Sequence, residues 1–268
     1  MSTFAAQAAA DLTAIRAKKP LIHNITNFVV MNFTANTLLA MGASPVMAHA
    51  ENEVEDMASF ADALVLNIGT LTVSWVVSMI KAGKVAAARG IPVILDPVGS
   101  GATPLRTNSA KRIIDRTRVS IIRGNASEIL SLGDPTSTTK GVDSLHSVEQ
   151  AGETAKRLAI ELKTTLVITG PVDLITDGAR VVQVKNGHPL MSAVTGTGCA
   201  ATATIAAFAS INDDMVSAAA AALAFFGLAG EKAAATAAGP GSFMIALIDA
   251  LYTISPEDVA RGAGINEV

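Results

Sequence analysis

Six short apolar runs, each closing on a polar or glycine tip, alternate along this chain with stretches patterned as helices. The runs cover residues 20–27, 44–48, 63–70, 91–99, 119–125 and 165–170. Helical patterns fill 4–18, 28–41, 51–60, 73–89, 109–117, 126–132 and 148–162. A strand that is apolar throughout has no face for solvent and must be covered on both sides. The interleaved helices supply that cover, which predicts an α/β fold of three layers, α/β/α, around a mostly parallel central sheet. Asp173-Leu-Ile-Thr and Ala179-Val-Val-Gln-Val predict a hairpin around Asp177-Gly178. From Gly198 helices dominate to Leu251, and a tail begins at Pro256. No linker or repeat interrupts the pattern, so residues 1–268 are read as one domain.

In sheets of this kind the ligand site lies outside the carboxyl ends of the strands. Polar residues collect there: Asn27, Asn67, Asp96, Arg123, Asn125 and Thr169, with Glu128 just into the helix after Asn125. That coincidence points to a catalytic cleft.

A second feature is Ala193-Val-Thr-Gly196-Thr-Gly198-Cys199-Ala-Ala-Thr202, where two glycines stand at the head of an Ala-rich run. Ala is the best helix former, so 200–209 is read as a helix. Free N–H groups and the positive end of its dipole then meet at Gly196–Cys199, a ready anion site. A plain turn before a helix is the simpler alternative. The same residues fit the dinucleotide pattern G-x-G-x-x-A, which needs a following strand with an acid at its end. Here Ala-rich helix follows, and Asp213-Asp214 lie in an Ile-Asn-Asp-Asp turn.

Composition excludes several classes of function. A net charge of −3 gives no reason to expect nucleic acid or a membrane surface as partner. One cysteine allows no internal disulfide and suits a reducing, cytoplasmic compartment. Residues 1–11 lack the basic flank and apolar core of a signal peptide, which also discounts the glycosylation triplet Asn24-Ile-Thr26. The Ala-rich stretch 215–238 comes closest to a membrane span, but its bulk is small and Glu231 and Lys232 interrupt it. Four scattered His have no metal-site spacing, and His23 is read as structural.

Together the site residues point to phosphoryl transfer, a reaction governed by positioning and electrostatics. Asp96 and Glu128 can hold Mg²⁺ directly or through water. Arg123 supplies charge to phosphate oxygens, and the Gly196–Cys199 turn would receive the transferred group. Structural readings stand beside these: Asp96 as a turn cap before Pro97, Glu128 as a first-turn carboxylate on the helix dipole, Arg123 in an ion pair, Met47 and Cys199 as core filling. No Walker-type or protein-kinase motif is present.

Pro20-Leu-Ile-His-Asn-Ile-Thr-Asn-Phe-Val-Val, Gly42-Ala-Ser-Pro-Val-Met, Leu66-Asn-Ile-Gly-Thr-Leu, Leu95-Asp-Pro-Val-Gly-Ser-Gly-Ala-Thr, Arg123-Gly-Asn-Ala-Ser-Glu-Ile and Val194-Thr-Gly-Thr-Gly-Cys closely resemble the hydroxyethylthiazole kinases of the ribokinase-like superfamily. The resemblance runs in order from about residue 20 to about 250. It implies ATP-dependent phosphorylation of the primary hydroxyl of 4-methyl-5-(2-hydroxyethyl)thiazole, a salvage step toward thiamine. By matching position it implies Arg123, Thr169 and Asn125 as nucleotide contacts and Asp96 and Glu128 as magnesium carboxylates. Met47, Gly196 and Asn27 are implied as thiazole contacts, and Gly196, Gly198 and Cys199 as the catalytic turn. It further implies a homotrimer with sites between subunits, so that Met47 and Gly196 act from different chains.

Ribokinase-like sugar kinases carry Asp where this chain has Cys199. A helix start favours the thiolate, which predicts a group able to accept the hydroxyl proton, although a loose transition state needs little base assistance. A hydroxymethylpyrimidine-type kinase is the nearest rival reading. A nucleotide-driven nicotinamide-hydrate dehydratase would favour Asp at 199, and a non-enzymatic thiazole-binding module would give no phosphorylated product. The polar, Thr-rich segment 134–147 is read as a mobile lid, and Gly239-Pro-Gly241-Ser242-Phe243 as a turn between helices with a packing role near the nucleotide.

Overall fold

The computed structural model describes residues 4–133 and 148–268; the segment read as a lid lies outside them. The strands are β1 Leu21–Ile25, β2 Ser44–Val46, β3 Ala63–Asn67, β4 Val93–Asp96, β5 Ile121–Gly124, β6 Thr165–Ile168, β7 Asp173–Thr176, β8 Val181–Val184 and β9 Ile265–Glu267. They form one sheet in the order β2-β1-β3-β4-β5-β6-β7-β8-β9. The pairings from β2 through β6 are parallel, and the three from β6 through β9 antiparallel.

The helices are α1 Phe4–Lys18, α2 Met31–Met41, α3 Val54–Phe60, α4 Val73–Arg89, α5 Pro104–Arg116, α6 Ala126–Leu130, α7 Val148–Leu162, α8 Thr197–Ala209, α9 Met215–Ala234, α10 Pro240–Thr253 and α11 Pro256–Gly262. Side chains alternate across each strand, so one strand feeds both layers. On β3, Ala63 and Val65 pack with Leu12, Phe33, Phe208 and Phe225 in the α1, α2, α8, α9 layer. Leu64 and Leu66 pack with Val54, Trp75 and Ile113 in the α3, α4, α5 layer.

Helix α9 is long and apolar enough to cross a membrane, yet 78% of its apolar window is buried inside the protein. A helix apolar all round is here a core helix. The Ala side chains of α8 are buried throughout 200–209, and their small size lets the helix lie close across β1, β3 and β4. That close approach carries the Gly-Thr-Gly-Cys turn to the strand ends.

Several boundaries differ from the sequence reading. Helix α2 starts at Met31, not 28, because Asn27 Oδ1 accepts the Val29 N–H at 3.1 Å and holds 28–30 in a turn. Residues 51–53 likewise form a turn before α3. Helix α5 starts at Pro104, not 109: Thr103 caps it, and proline suits a first helical position. The tail from Pro256 is structured. Ser255 and Asp258 form a capping box on α11, and β9 adds to the sheet with Ile265 opposite Val184. The turn from α9 into α10 is 235–239, and 240–243, read as a turn, are instead the first turn of α10.

Candidate active site

The site begins with β3 and β4, where Asn67 and Asp96 stand opposite one another at the carboxyl ends. Asn67 Nδ2 donates to Asp96 Oδ2 at 2.8 Å and to Cys199 Sγ at 3.2 Å. Its Oδ1 accepts from Asn27 Nδ2 at 2.8 Å, and the same Asn27 nitrogen lies 3.6 Å from Cys199 Sγ. Thr202, one turn after Cys199 on α8, donates to Asp96 Oδ2 at 2.9 Å. On β5, Arg123 Nη1 lies 3.9 Å from Asp96 Oδ2, an ion pair longer than a hydrogen bond. Arg123 Nη2 donates to Thr169 Oγ1 at 2.6 Å. A Cβ at Gly198 would fall 2.7 Å from Arg123 Nη1, so glycine there lets the helix start touch the guanidinium. Gly196 has φ +89° and lies against Val30, which a Cβ would meet at 2.8 Å; both facts call for glycine.

Elements distant in sequence thus bring Asn27, Asp96, Arg123, Thr169, Gly198 and Cys199 together. Among the described residues, the N–H groups of Thr197, Gly198 and Cys199 begin α8 with no backbone acceptor, the first acceptor bond being Ala200 N–H to Gly196 O. They remain available to an anion.

Asp96 is fully buried, and its Oδ1 has no partner among the described residues. Burial pushes its carboxyl above the usual range, while Arg123, Thr202 and Asn67 pull it down. Burial likewise pushes the Cys199 thiol up to about 11, with Asp96 adding to the rise. This overturns the expected thiolate. The helix start and two amide donors do favour the anion, but desolvation and a neighbouring carboxylate outweigh them.

Glu128 is half-buried and anchored: Oε1 accepts from Gly99 N–H at 2.8 Å, and Oε2 from Asn125 N–H at 2.9 Å in a capping box on α6. Asn125 Oδ1 accepts from Glu128 N–H and Ser127 Oγ, so its side chain is a helix cap and does not line the nearby cleft. Met47 follows the edge strand β2. Three strand spacings, ~14 Å, separate β2 from β4, so Met47 lies at the same rim but apart from the Asp96 cluster. His23 is structural, its Nε2 donating to Ala48 O at 2.7 Å.

Beside Arg123 opens a cleft of about 580 Å³. Thr169 and Gly198 stand at its polar end, and Pro171, Met191, Leu223 and Phe226 form an apolar wall. Residues 239–243 do not line it. Three residues escaped the sequence reading. Thr202 could have been found from its i+3 spacing to Cys199 on one helix. Arg106 donates to the carbonyls of Ile68, Val98 and Gly69, tying the loops after β3 and β4 together; no local signal marks it. Asp173 lines the cleft because antiparallel β7 begins at the rim where β6 ends.

This order of strands, with the polar cluster outside their carboxyl ends, is the ribokinase-like fold. A ribokinase-like superfamily protein from Enterococcus faecalis V583 superposes with a TM-score of 0.63 at 14% identity, over 92% of this chain and 89% of that one. The family follows from closer likenesses. The hydroxyethylthiazole kinase of Pyrococcus horikoshii OT3 superposes with a TM-score of 0.90 at 45% identity, over 98% of this chain and 99% of that one. The hydroxyethylthiazole kinase of Desulfotalea psychrophila is 64% identical, over 100% of this chain and 98% of its own length. The model of the hydroxyethylthiazole kinase family matches residues 12–257, and the chain belongs to that family.

Proposed function

We propose that residues 1–268 act as a single kinase domain that transfers the terminal phosphoryl group of ATP to the primary hydroxyl of 4-methyl-5-(2-hydroxyethyl)thiazole, a salvage step toward thiamine. The observation that carries the reading is the meeting of Arg123, Thr169 and the open amides of Thr197, Gly198 and Cys199 beside the buried Asp96. Arg123 and Thr169 bind the polyphosphate at the polar end of the cleft, and the apolar wall takes the base. The first-turn amides of α8 stabilise the charge on the transferred group. Asn27 and Cys199 orient the thiazole alcohol, with Gly196 of the same chain and Met47 of a neighbouring subunit flanking the ring. A protonated thiol holds the hydroxyl in place rather than drawing off its proton.

The donor set fits Mg²⁺. Asp96 Oδ1 is a buried carboxylate oxygen without a partner among the described residues, and Glu128 acts electrostatically on the same carboxyl. Among the described residues no three acidic, His or Cys side chains cluster as a cage. Two carboxylates with water and substrate phosphates suit the ion, which keeps several waters. When bound, Mg²⁺ neutralises charge on the phosphate oxygens.

The protein is read as a cytoplasmic homotrimer. Phe28 and Val29 are 62% and 64% exposed directly beside Asn27, and Val73 is 68% exposed. Phe28 packs against Trp75 with ring centres 4.8 Å apart and the planes tilted by 49°. An apolar rim at the thiazole side of the site suits cover by a second subunit. The deciding experiment is ATP consumption with the thiazole alcohol, and with hydroxymethylpyrimidine for comparison, followed by mass spectrometry of the product. A thiazole monophosphate supports the reading. ATP turnover only with the pyrimidine, or none with either, overturns it.

A further inference from the structure

Among the described residues, Asp173 is the one carboxylate on the wall of the 580 Å³ cleft. It is 9% exposed at the first position of β7. The pairing of Leu174 with Ile168 continues outward to set Asp173 opposite Thr169, whose hydroxyl receives Arg123. Oδ1 accepts the Gly170 N–H at 3.0 Å. Oδ2 has no hydrogen-bond partner among the described residues. A second carboxylate, Asp96, already draws on Arg123 from the other side.

The remaining charged groups leave Arg123 as the cation that acts on Asp173. On α9, Glu231 binds Asn186 and the Gly187 N–H, and Lys232 sits in the last turn. On α7, Lys156 pairs with Glu153. On β8 the side chain between Val182 and Val184 is the neutral Gln183, Lys185 follows as an exposed residue, and His188 lines the same cleft.

A polyphosphate entering this cleft adds negative charge beside a buried carboxylate that feels the Arg123 charge without forming an ion pair with it, since Arg123 lies nearest Asp96. Like charges at short range in a poorly solvated place favour the neutral form of whichever group is cheapest to protonate. We propose that Asp173 takes up a proton from solvent, on Oδ2, when the nucleotide binds, so that it no longer sets a like charge beside the phosphates that Thr169 and Arg123 receive. The proton adds to a lone pair of the carboxylate, and no other bond changes. Burial already holds the free carboxyl at about 6, so neutralising it near pH 7 needs only a modest further push. By linkage, nucleotide affinity then falls as pH rises above 6, at most tenfold per pH unit for one proton. Asp173 acts through its charge and is a positioning residue.

This inference rests on the kinase reading, and calorimetry separates the two. A non-hydrolysable ATP analogue with magnesium is titrated into the full-length protein near pH 7, in buffers of differing ionisation enthalpy. No binding at all sinks the kinase reading. Binding with no proton uptake sinks this inference alone. The expected result is uptake of a fraction of one proton per nucleotide, lost in D173N, where the amide keeps the bond from Gly170. Uptake that survives in D173N but disappears in H188Q overturns the assignment in favour of the histidine. Should D173N fail to fold, infrared difference spectra of the wild-type protein read the same event. A protonated-carboxyl band appearing with nucleotide supports the proposal, and its absence overturns it.

Discussion

The amide nitrogen of Asn67 reaches the Asp96 carboxylate at 2.8 Å and the Cys199 sulfur at 3.2 Å. One side chain on β3 thereby links the fully buried carboxylate of β4 to the head of α8. The second of these bonds, with that of Asn27 at 3.6 Å, makes the sulfur an acceptor. They fix where the thiol sits without ionising it, since burial and Asp96 hold it at about 11.

Cys199→Ala is therefore expected to lower turnover roughly tenfold, short of the ~10²–10⁴ that loss of a general base costs. Cys199→Asp is expected to keep substantial activity, because a carboxylate can accept from the same two amides. Steady-state kinetics check both, and turnover of the Ala variant at the wild-type rate would remove any role for the sulfur. Independently, alkylation of Cys199 should keep accelerating with pH through 9 and 10, as the thiolate fraction rises toward its midpoint.

Gly198→Ala separates stability from function. Position 198 lies in the first turn of α8, where Ala is favoured over Gly by about 0.5–1 kcal/mol. The added methyl would fall 2.7 Å from Arg123 Nη1 and must displace the guanidinium. The melting temperature should hold or rise while KM for ATP climbs at least tenfold. An unchanged KM would show that Arg123 does not meet the nucleotide.

Asp214 anchors the amino end of the core helix α9, accepting from Val216 and Ser217 N–H and from both Nη atoms of Arg180. Arg180 holds its carboxyl below the usual range. A depressed carboxyl stabilises the fold above its unfolded pKa and loses that contribution as pH falls through the folded one. Loss of the cap in Asp214→Ala should cost about 1–2 kcal/mol at pH 7, and the difference from wild type should shrink below pH 4. Urea denaturation across pH reads this directly, and a difference constant down to pH 3 would count against the ion pair.

Phe28→Glu places a charge on the exposed apolar rim beside Asn27. Native mass spectrometry should find trimers for the wild-type chain and smaller species for the variant, with activity lost in parallel. A wild-type monomer with full activity would refute the shared site.

Polar tips on Asn67, Asp96, Arg123 and Thr169 follow from apolar runs that must stop at a sheet edge, and Gly196 and Gly198 mark a turn that only glycine allows at φ +89° or against a guanidinium. The capping box that binds Glu128 to Asn125 is written in the Asn-Ala-Ser-Glu spacing, but only the structure shows that it turns the Asn125 side chain into the cap and off the cleft wall. The strand β9 escaped because three residues after a short helix carry little periodicity; pairing with β8, some eighty positions earlier, makes them a strand.

Periodicity and turn chemistry are properties of neighbours in the chain, and so the sequence by itself determined the layers, the mostly parallel sheet and the end of it where chemistry gathers. The protonation of Cys199, the placement of Asp173 opposite Thr169 and the clasp of Arg106 on two loops were decided only by tertiary structure. Burial and the distances between charges arise when segments a hundred residues apart meet, and these quantities set which groups ionise and which can touch a phosphate.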